Sequence, residues 1–327
     1  MITIYTYNGQ VLTEASTGEW LIEKAAQPVI PANTIRVRTS DGQPPIKDEY
    51  TMYETATLVP GTSDIYDVYL SGTSFYCVLY NSTNVVEIIA ANTTNISNMS
   101  YALYHTALTS VPVFDTSSVT DMSYMLCECA SLSSVQLFDT SSVTNMSNMF
   151  QNCTSLTTVP LFNTSSVTNM YGMFQNCTSL TTIPLFNTSS VTSMYSMFSN
   201  CTSLTTVPLF NTSSVTSMVS MFGNCTALTA VPLFNTSNVT NMSNMFGSCT
   251  SLTTVPLLNT GKVTNMSSMF IRCYNVESGA LALYQQASTQ ANPPRSHTYT
   301  FSYCGRDTTT GAAELAQIPS NWGGTGA

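Results

Sequence analysis

The segment LTTVPLFNTSSVTNMYGMFQNCTS, residues 156–179, decides the fold, because near copies of it recur every 24 residues. An earlier copy around Ile96 and Met99 is one residue short and lacks the cysteine, and a degenerate first copy begins at Val85. A repeat of this length predicts a solenoid, since a lone unit buries too little apolar surface to fold. The period is marked by Cys129, Cys153, Cys177, Cys201, Cys225, Cys249 and Cys273, and by Val119, Val143, Val167, Val191, Val215, Val239 and Val263.

The first half of each unit predicts a short parallel strand. Leu156, Val159 and Leu161 have the spacing of a leucine-rich repeat, whose alternation buries one face. A proline inside the proposed strand removes a ladder donor, so we expect the strands to be short. These prolines are Pro112, Pro160, Pro184, Pro208, Pro232 and Pro256, and one unit carries Gln136 instead.

The second half of each unit has helical spacing. Val167, Met170, Met173 and Cys177 recur at intervals of three or four residues, which predicts a short α- or 3₁₀-helix. Ser165 or Ser166 would provide its N-cap. The predicted fold is therefore an α/β repeat solenoid, leucine-rich-repeat-like, with short parallel strands and short helices.

Three regions follow from this pattern. Residues 1–84 hold strand-like segments and predict a small β-rich docking domain, with GEWLIEKAA, residues 18–26, as a brief helix. Residues 85–277 form the solenoid of about eight rungs. Residues 278–327 predict a C-terminal cap, with a helix capped by Ser278, a final strand HTYTFSYCG and a last helical segment GAAELAQIP.

Charge limits the possible partners. The chain carries 8 Lys and Arg against 17 Asp and Glu, a net charge of -9, and Thr140 to Gly261 contains no charged residue. Nucleic acid and anionic membranes are excluded as partners, because clustered cations would be needed to hold them. The Ser, Thr and Asn of the neutral stretch suit neutral sugars or protein surfaces. No segment approaches the length of a membrane span.

The unit LFDTSSVTNMSNMFQNCTSLTTVP resembles the repeats of the BspA-like leucine-rich-repeat surface proteins, in which F-D-T-S-x-V-T-x-M-x-x-M-F-x-x-C recurs. The resemblance covers roughly residues 85–277 and implies surface display and adhesion to host proteins or glycans, with no active site. The tail resembles the ends of such proteins from gut bacteria and their phages.

The start MITIYTYNGQ lacks the basic and apolar regions of a secretory signal. We therefore expect release by lysis as part of a phage particle, where residues 1–84 would dock on other virion proteins. Display on a bacterial envelope is the alternative, and homo-oligomers suit either location.

The candidate ligand-binding residues lie on the strand face that alternation directs away from the core. We expect this face to contact a cell-surface glycan or protein, although the phenylalanines could instead pack on the next turn or on a neighbouring chain. A threonine row also occurs on ice-binding solenoids, but proline and phenylalanine interrupt a flat face here. The residues are Thr158, Pro160, Phe162, Thr182, Phe186, Thr206, Phe210 and Phe234.

Other chemical patterns favour structural roles. The cysteine ladder and the methionine pairs read as core, because side chains repeated in a ladder point the same way. The early acids Asp115, Asp121, Glu128 and Asp139 could form a calcium patch, but a solvated edge suits them better. His105 and His297 lie far apart, and no hydrolase acid pair occurs. We expect no enzyme activity, no cofactor and no metal. An oligomerising stalk is the competing architectural function.

Overall fold

The computed structural model describes residues 34–326, apart from 48, 50, 71–73, 95 and 114, and the backbone of three strands before residue 34. Those strands are β1 (Tyr5–Tyr7), β2 (Gln10–Glu14) and β3 (Trp20–Glu23), and they pair antiparallel in sequence order. The prediction of a helix within residues 18–26 is wrong for Trp20–Glu23, because these residues form a strand. The rest of that segment lies outside the described residues.

A second antiparallel sheet joins the N-terminal region to the repeats. It contains β4 (Thr34–Thr39), β5 (Tyr53–Leu58), β6 (Ile65–Leu70) and β7 (Val85–Asn92), in the order β5-β6-β4-β7. Bonds between rungs begin at Ser74, where a parallel bridge reaches Asn98. The predicted boundary between residues 84 and 85 therefore falls inside the first rung, and β7 belongs to both the sheet and the array.

The array from Ser74 onward is a solenoid of stacked 24-residue rungs, so the predicted repeat fold is confirmed. The short helices are wrong: within the described residues of the rungs, the second half is a run of tight turns. Each run holds two residues with positive φ, four positions apart, such as Asn148 at 55° and Asn152 at 62°. An α-helix cannot pass through left-handed residues, although turns joined in this way keep the same spacing of buried side chains.

In the turn half, successive backbone amides alternate between hydrogen bonds to the next rung and hydrogen bonds within their own rung. Asn148, Phe150 and Asn152 donate to carbonyls of the next rung at 2.7–3.0 Å. The intervening Met149 and Gln151 donate instead to carbonyls three residues back in their own rung. Every second residue thus ties two rungs together, so the rungs form a parallel ladder without a regular strand.

The strand half is thinner than a regular sheet. Its named strands are two residues long, β8 (Ser110–Val111) and β9 (Ser134–Val135), and they pair in parallel. In later rungs a single amide, such as that of Thr181, donates to the previous rung, at Thr157 O. This thinning is what the prolines of the strand half predicted.

A γ-turn reverses the expected direction of two side chains after four of the prolines, Pro160, Pro184, Pro208 and Pro256. The Phe162 amide donates to the Pro160 carbonyl at 3.0 Å, and the same bond recurs at Phe186 and Phe210. The turn points Leu161 into solvent, 60 % exposed, and Phe162 into the core, 2 % exposed. The prediction that alternation from Leu161 exposes the phenylalanines is therefore wrong.

The core consists of columns of identical side chains. The inner phenylalanine column stacks with neighbouring centroids 5.1–6.0 Å apart. The outer phenylalanine column packs beside it, as Phe150 on Phe162 at 6.1 Å shows. Buried valines, methionines and cysteines fill the remaining positions. The inner column is Phe150, Phe174, Phe198, Phe222, Phe246, Phe270 and Phe301, and the outer column is Phe138, Phe162, Phe186, Phe210 and Phe234.

The Asn-Thr-Ser sequence, which recurs in four units from Asn163 to Asn235, makes a polar clamp. The Asn163 side chain accepts hydrogen bonds from the Ser165 amide and hydroxyl. Thr164 is buried, and its hydroxyl donates to the Asn187 carbonyl of the next rung at 2.8 Å. The predicted serine N-cap is thus replaced by an asparagine-capped turn, because no helix follows it.

The C-terminal cap contains the helices α1 (Ala280–Thr289) and α2 (Thr309–Leu315) and a 3₁₀ turn, Ser320–Trp322. Helix α1 is capped by Gly279 rather than Ser278, and the Glu314 carboxylate accepts from the amides of Gly279 and Leu281. The segment expected to form a final strand is instead a last rung of turns, in which Phe301 stacks on Phe270. The predicted boundary at 277/278 therefore falls before the end of the stacked turns.

Candidate functional site

The sequence-predicted site residues do not share one exposed face. The threonines at 158, 182 and 206 are exposed, and Pro160 is half-buried. All four predicted phenylalanines, Phe162, Phe186, Phe210 and Phe234, are buried in the outer column. A ligand could reach only the threonines and, in part, the proline.

The residue just before each outer phenylalanine, or before Leu258 in the last repeat, is exposed. These residues stack one above another along the rungs and are 52–65 % exposed. We call them the leucine strip, which consists of Val113, Leu137, Leu161, Leu185, Leu209, Leu233 and Leu257. Sequence reasoning missed the strip because it counted Leu161 as core. The proline that precedes six of the seven strip residues was the available signal.

The area of the strip is large for a free surface. Each side chain presents on the order of 100 Å² of apolar surface, so the strip totals about 700 Å². The largest apolar patch on a typical monomer is about 300–600 Å². Most of the strip lies in the uncharged stretch from Thr140 to Gly261. At its C-terminal end, Leu257 lines a shallow pocket with Gln286 of α1 and Gln290, which follows the helix.

A second exposed feature lies on the turn half of the rungs. Tyr101 stacks on Tyr124 with centroids 4.5 Å apart, and Tyr171 stacks on Tyr195 at 4.9 Å. The rung between the two pairs carries Ser147 and Asn148 in place of tyrosine. Sequence reasoning did not single out these tyrosines, although they interrupt the Ser and Asn that other repeats carry there.

This interruption leaves the tyrosine groove, about 470 Å³ in volume, lined by Tyr124, Ser147, Asn148, Thr168, Asn169, Tyr171, Thr192 and Ser193. Burial raises the pKa of Tyr171, and the neighbouring phenols of Tyr195 and Tyr124 raise it further. Its hydroxyl is therefore a neutral donor and acceptor at physiological pH.

The family described as "Mycoplasma protein of unknown function, DUF285" matches residues 73–182, 133–231 and 205–290. These overlapping matches cover residues 73–290, about two thirds of the chain. The chain belongs to this family. The match confirms the BspA-like repeat that the recurring F-D/N-T-S motif predicted.

Solved structures similar to this DUF285 chain are leucine-rich-repeat proteins. The T. pallidum leucine-rich repeat protein is 18 % identical, with 86 % of this chain and 98 % of that one covered and a TM-score of 0.43. A leucine-rich repeat protein from Eubacterium ventriosum is 18 % identical, with 57 % and 58 % covered and a TM-score of 0.34. The comparison with curated proteins found no match.

The early acids of this DUF285 protein are engaged locally. Asp115 accepts from the Ser117 amide and hydroxyl, which lowers the pKa of its carboxyl, and Asp139 does the same with Ser141. Asp121 accepts from the Ser123 amide. Within the described part of the chain, no three His, Cys, Asp or Glu side chains converge on a possible metal position.

The cysteines of the DUF285 repeats are buried free thiols. The Cys153 thiol donates to the Leu126 carbonyl of the previous rung at 3.0 Å, and Cys177 donates to Phe150 O in the same way. Burial raises the pKa of Cys129 to about 11 and that of Cys225 to about 12. These thiols fill the core and stay protonated at neutral pH. In the residues described, no helix has the length and apolarity to cross a bilayer.

Proposed function

We propose that this DUF285 chain is a non-catalytic, surface-displayed recognition protein that docks a partner protein on its leucine strip. The observation that carries the proposal is an unbroken row of seven exposed aliphatic side chains, four of which follow the proline of a γ-turn. Apolar surface of this extent, rimmed by polar residues, marks an interaction site.

The size and chemistry of the strip favour a protein partner over a sugar. One side of a standard protein–protein interface buries about 800 Å², which the strip and its threonine flanks can supply. Leucine and valine side chains offer no hydrogen bond to a sugar hydroxyl. The absence of charge between Thr140 and Gly261 means that affinity would come from apolar burial and would depend little on salt.

The test is binding of the fluorescently labelled chain to intact bacterial and epithelial cells. The variant Leu161→Asn/Leu185→Asn/Leu209→Asn should lose binding at least tenfold while its unfolding temperature is unchanged. The matched control Ser155→Asn/Ser179→Asn/Ser203→Asn alters polar residues of the same rungs and should bind normally. Protease treatment of the cells should abolish binding. Equal binding by the leucine variant would refute the strip as the docking face.

A second candidate function is an oligomerising stalk, favoured by the repetition of the strip, since a row of identical leucines is complementary to a second copy of itself. Sedimentation of the wild-type chain distinguishes the two. A concentration-dependent oligomer that the leucine variant abolishes would favour the stalk, whereas a monomer favours docking of a different protein.

The particle that displays the chain is a separate part of the proposal. A phage virion or a bacterial envelope would each present the strip to a target cell. Immunogold electron microscopy of the source culture, with antibody to the purified chain, distinguishes them: gold on phage particles supports the virion, and gold on the cell envelope supports the bacterial adhesin.

A further inference from the structure

We propose that the tyrosine groove is a binding site for one sugar residue of a neutral glycan. The site lies on the turn half of the rungs and uses none of the residues of the leucine strip, so it does not depend on the protein docking proposed above. Three observations carry it: the aromatic walls, the floor and the lack of charge.

The walls are two tyrosines that occupy neighbouring slots of the turn half. Tyr124 aligns with Asn148 and Gly172 of the next two rungs, whereas Tyr171 aligns with Ser147 of the rung before it. Each ring stacks on an outer partner and, within the described part of the chain, has no ring against its other face, on the side of the rung between them. Their rungs are two steps apart, or roughly 10 Å at about 4.8 Å per rung. A sugar ring packed on one of these faces needs about 3.5–4 Å, so the groove has room for a single ring.

The floor holds an amide that is almost fully buried but still meets the groove, since no fully buried side-chain N or O atom of the described residues lacks a hydrogen-bond partner. Asn148 is 2 % exposed and lines the groove, and among the described residues its side chain makes no hydrogen bond. The equivalent Asn244 side chain, by contrast, donates to Ser220 Oγ at 3.1 Å. Gly172 makes room for the amide, because a Cβ there would collide with Asn148 Oδ1. A buried amide of this kind gains from a ligand that both donates and accepts.

The rim adds further polar groups and no ionic ones. Thr168, Thr192 and Ser193 contribute hydroxyls, and Asn169 uses its Oδ1 to accept from the Tyr171 amide at 3.0 Å. The Asn169 Nδ2 makes no hydrogen bond within the described chain, so it is available as a donor. None of the residues lining the groove is charged.

A neutral pyranose matches these features. Its axial C–H groups form flat apolar faces that pack on aromatic faces, and its equatorial hydroxyls lie at the edge, where amides and hydroxyls can reach them. A volume of about 470 Å³ is within the usual range for small-ligand pockets. A carboxylate or phosphate would find no cation among the lining residues, so acidic sugars should bind less well.

The decisive experiment applies the purified full chain to an array of neutral and sialylated glycans, followed by calorimetric titration with the strongest neutral oligosaccharide. Tyr171→Ala should weaken binding at least tenfold. Ser147→Tyr should do the same by a different route, because a tyrosine at the position aligned with Tyr171 would cover the free face of that ring and fill the groove. Tyr299→Ala, which removes an exposed tyrosine of the last rung, is the matched control and should bind normally.

Several results would overturn the proposal. These are an array without any neutral ligand, a preference for sialylated glycans, or full binding by a Ser147→Tyr chain that folds normally. Displacement of the glycan by tyrosine-rich peptides at equal concentration would reassign the groove to an aromatic side chain of a protein. The Leu161→Asn/Leu185→Asn/Leu209→Asn variant should still bind the glycan. This result would show that the groove binds independently of the leucine strip.

Discussion

The leucine strip and the outer phenylalanine column occupy adjacent positions in every unit, yet one lies in solvent and the other in the core. Leu161 is 60 % exposed and Phe162 is 2 % exposed. Both are large and apolar, so hydrophobicity alone does not decide which is buried. The γ-turn at Pro160 decides it. The turn interrupts the alternation of a strand, so that Leu161 faces solvent and the next residue, Phe162, faces the core.

This difference teaches that exposure of the leucines is built into the backbone of each rung. The rung with Gln136 in place of proline keeps the same result, with Leu137 exposed and Phe138 buried. The neighbouring rungs therefore hold the geometry even where proline does not fix φ.

Phe162→Ala should lower the free energy of unfolding by about 3–5 kcal/mol, because it opens a cavity between Phe150, Phe138 and Phe186. Urea unfolding followed by circular dichroism measures the loss. Phe162→Leu is the milder control, since the equivalent Leu258 is fully buried in its own rung. A loss below about 1 kcal/mol for Phe162→Ala would contradict the packing of the outer column.

High pH should lower the free energy of unfolding through the cysteine thiols of the core. The leucine strip should make no contribution to this change, because it holds no titratable group. The pKa of Cys129 is raised to about 11 and that of Cys225 to about 12 by burial, above the value near 9 of an open thiol. Above pH 9 the unfolded chain releases protons that the folded chain keeps, so the stability present below pH 9 is lost as the pH rises toward 11–12.

The urea midpoint should therefore fall steadily between pH 9 and pH 11. Cys153→Ala/Cys177→Ala/Cys201→Ala should flatten this fall, since three of the buried thiols are removed. A midpoint independent of pH over this interval would mean that the thiols are not shielded from water as the structure has them.

Pro160→Gln should cost less than about 1 kcal/mol, chiefly because the unfolded chain gains freedom when proline is removed. The wild-type rung with Gln136 is the natural precedent. Leu161 should remain in solvent, which hydroxyl-radical footprinting of the variant would detect. Protection of Leu161 in the variant would show that proline is needed to expose the strip.

Leu161→Ala should change the free energy of unfolding by no more than about 0.5 kcal/mol, the smallest effect of the series, because an exposed side chain contributes little packing. Urea unfolding beside Phe162→Ala gives the direct comparison. A loss as large as that of Phe162→Ala would place Leu161 in an interface within the folded chain.

Much of this fold could be predicted from the sequence. The 24-residue period indicates stacking, and the spacing of Val167, Met170, Met173 and Cys177 identifies side chains that are all buried. The site could not be predicted in the same way. Alternation assumes a continuous strand, and a single γ-turn shifts the pattern by one residue from Leu161 onward.

The missing helices have a similar explanation. Intervals of three and four residues fit a helix and a chain of turns equally well, so periodicity cannot separate them. The distinguishing signal is the residue type at the positive-φ positions, where Asn152, Asn176, Asn200 and Asn224 recur. Asparagine tolerates left-handed backbone, and its repetition there favours turns. The tyrosine groove escaped prediction because it depends on which rung lacks a ring.

The regular ladder also has a consequence for how such a gene can change. Each interior rung offers the same donors and acceptors to the rung above and the rung below, so copying one 24-residue unit creates two junctions that already fit. Unequal recombination between the nearly identical repeats would lengthen or shorten the protein by whole rungs. Each event would add or remove one exposed leucine. The number of rungs, which is inherited, would thereby set the apolar area that the strip offers to a partner.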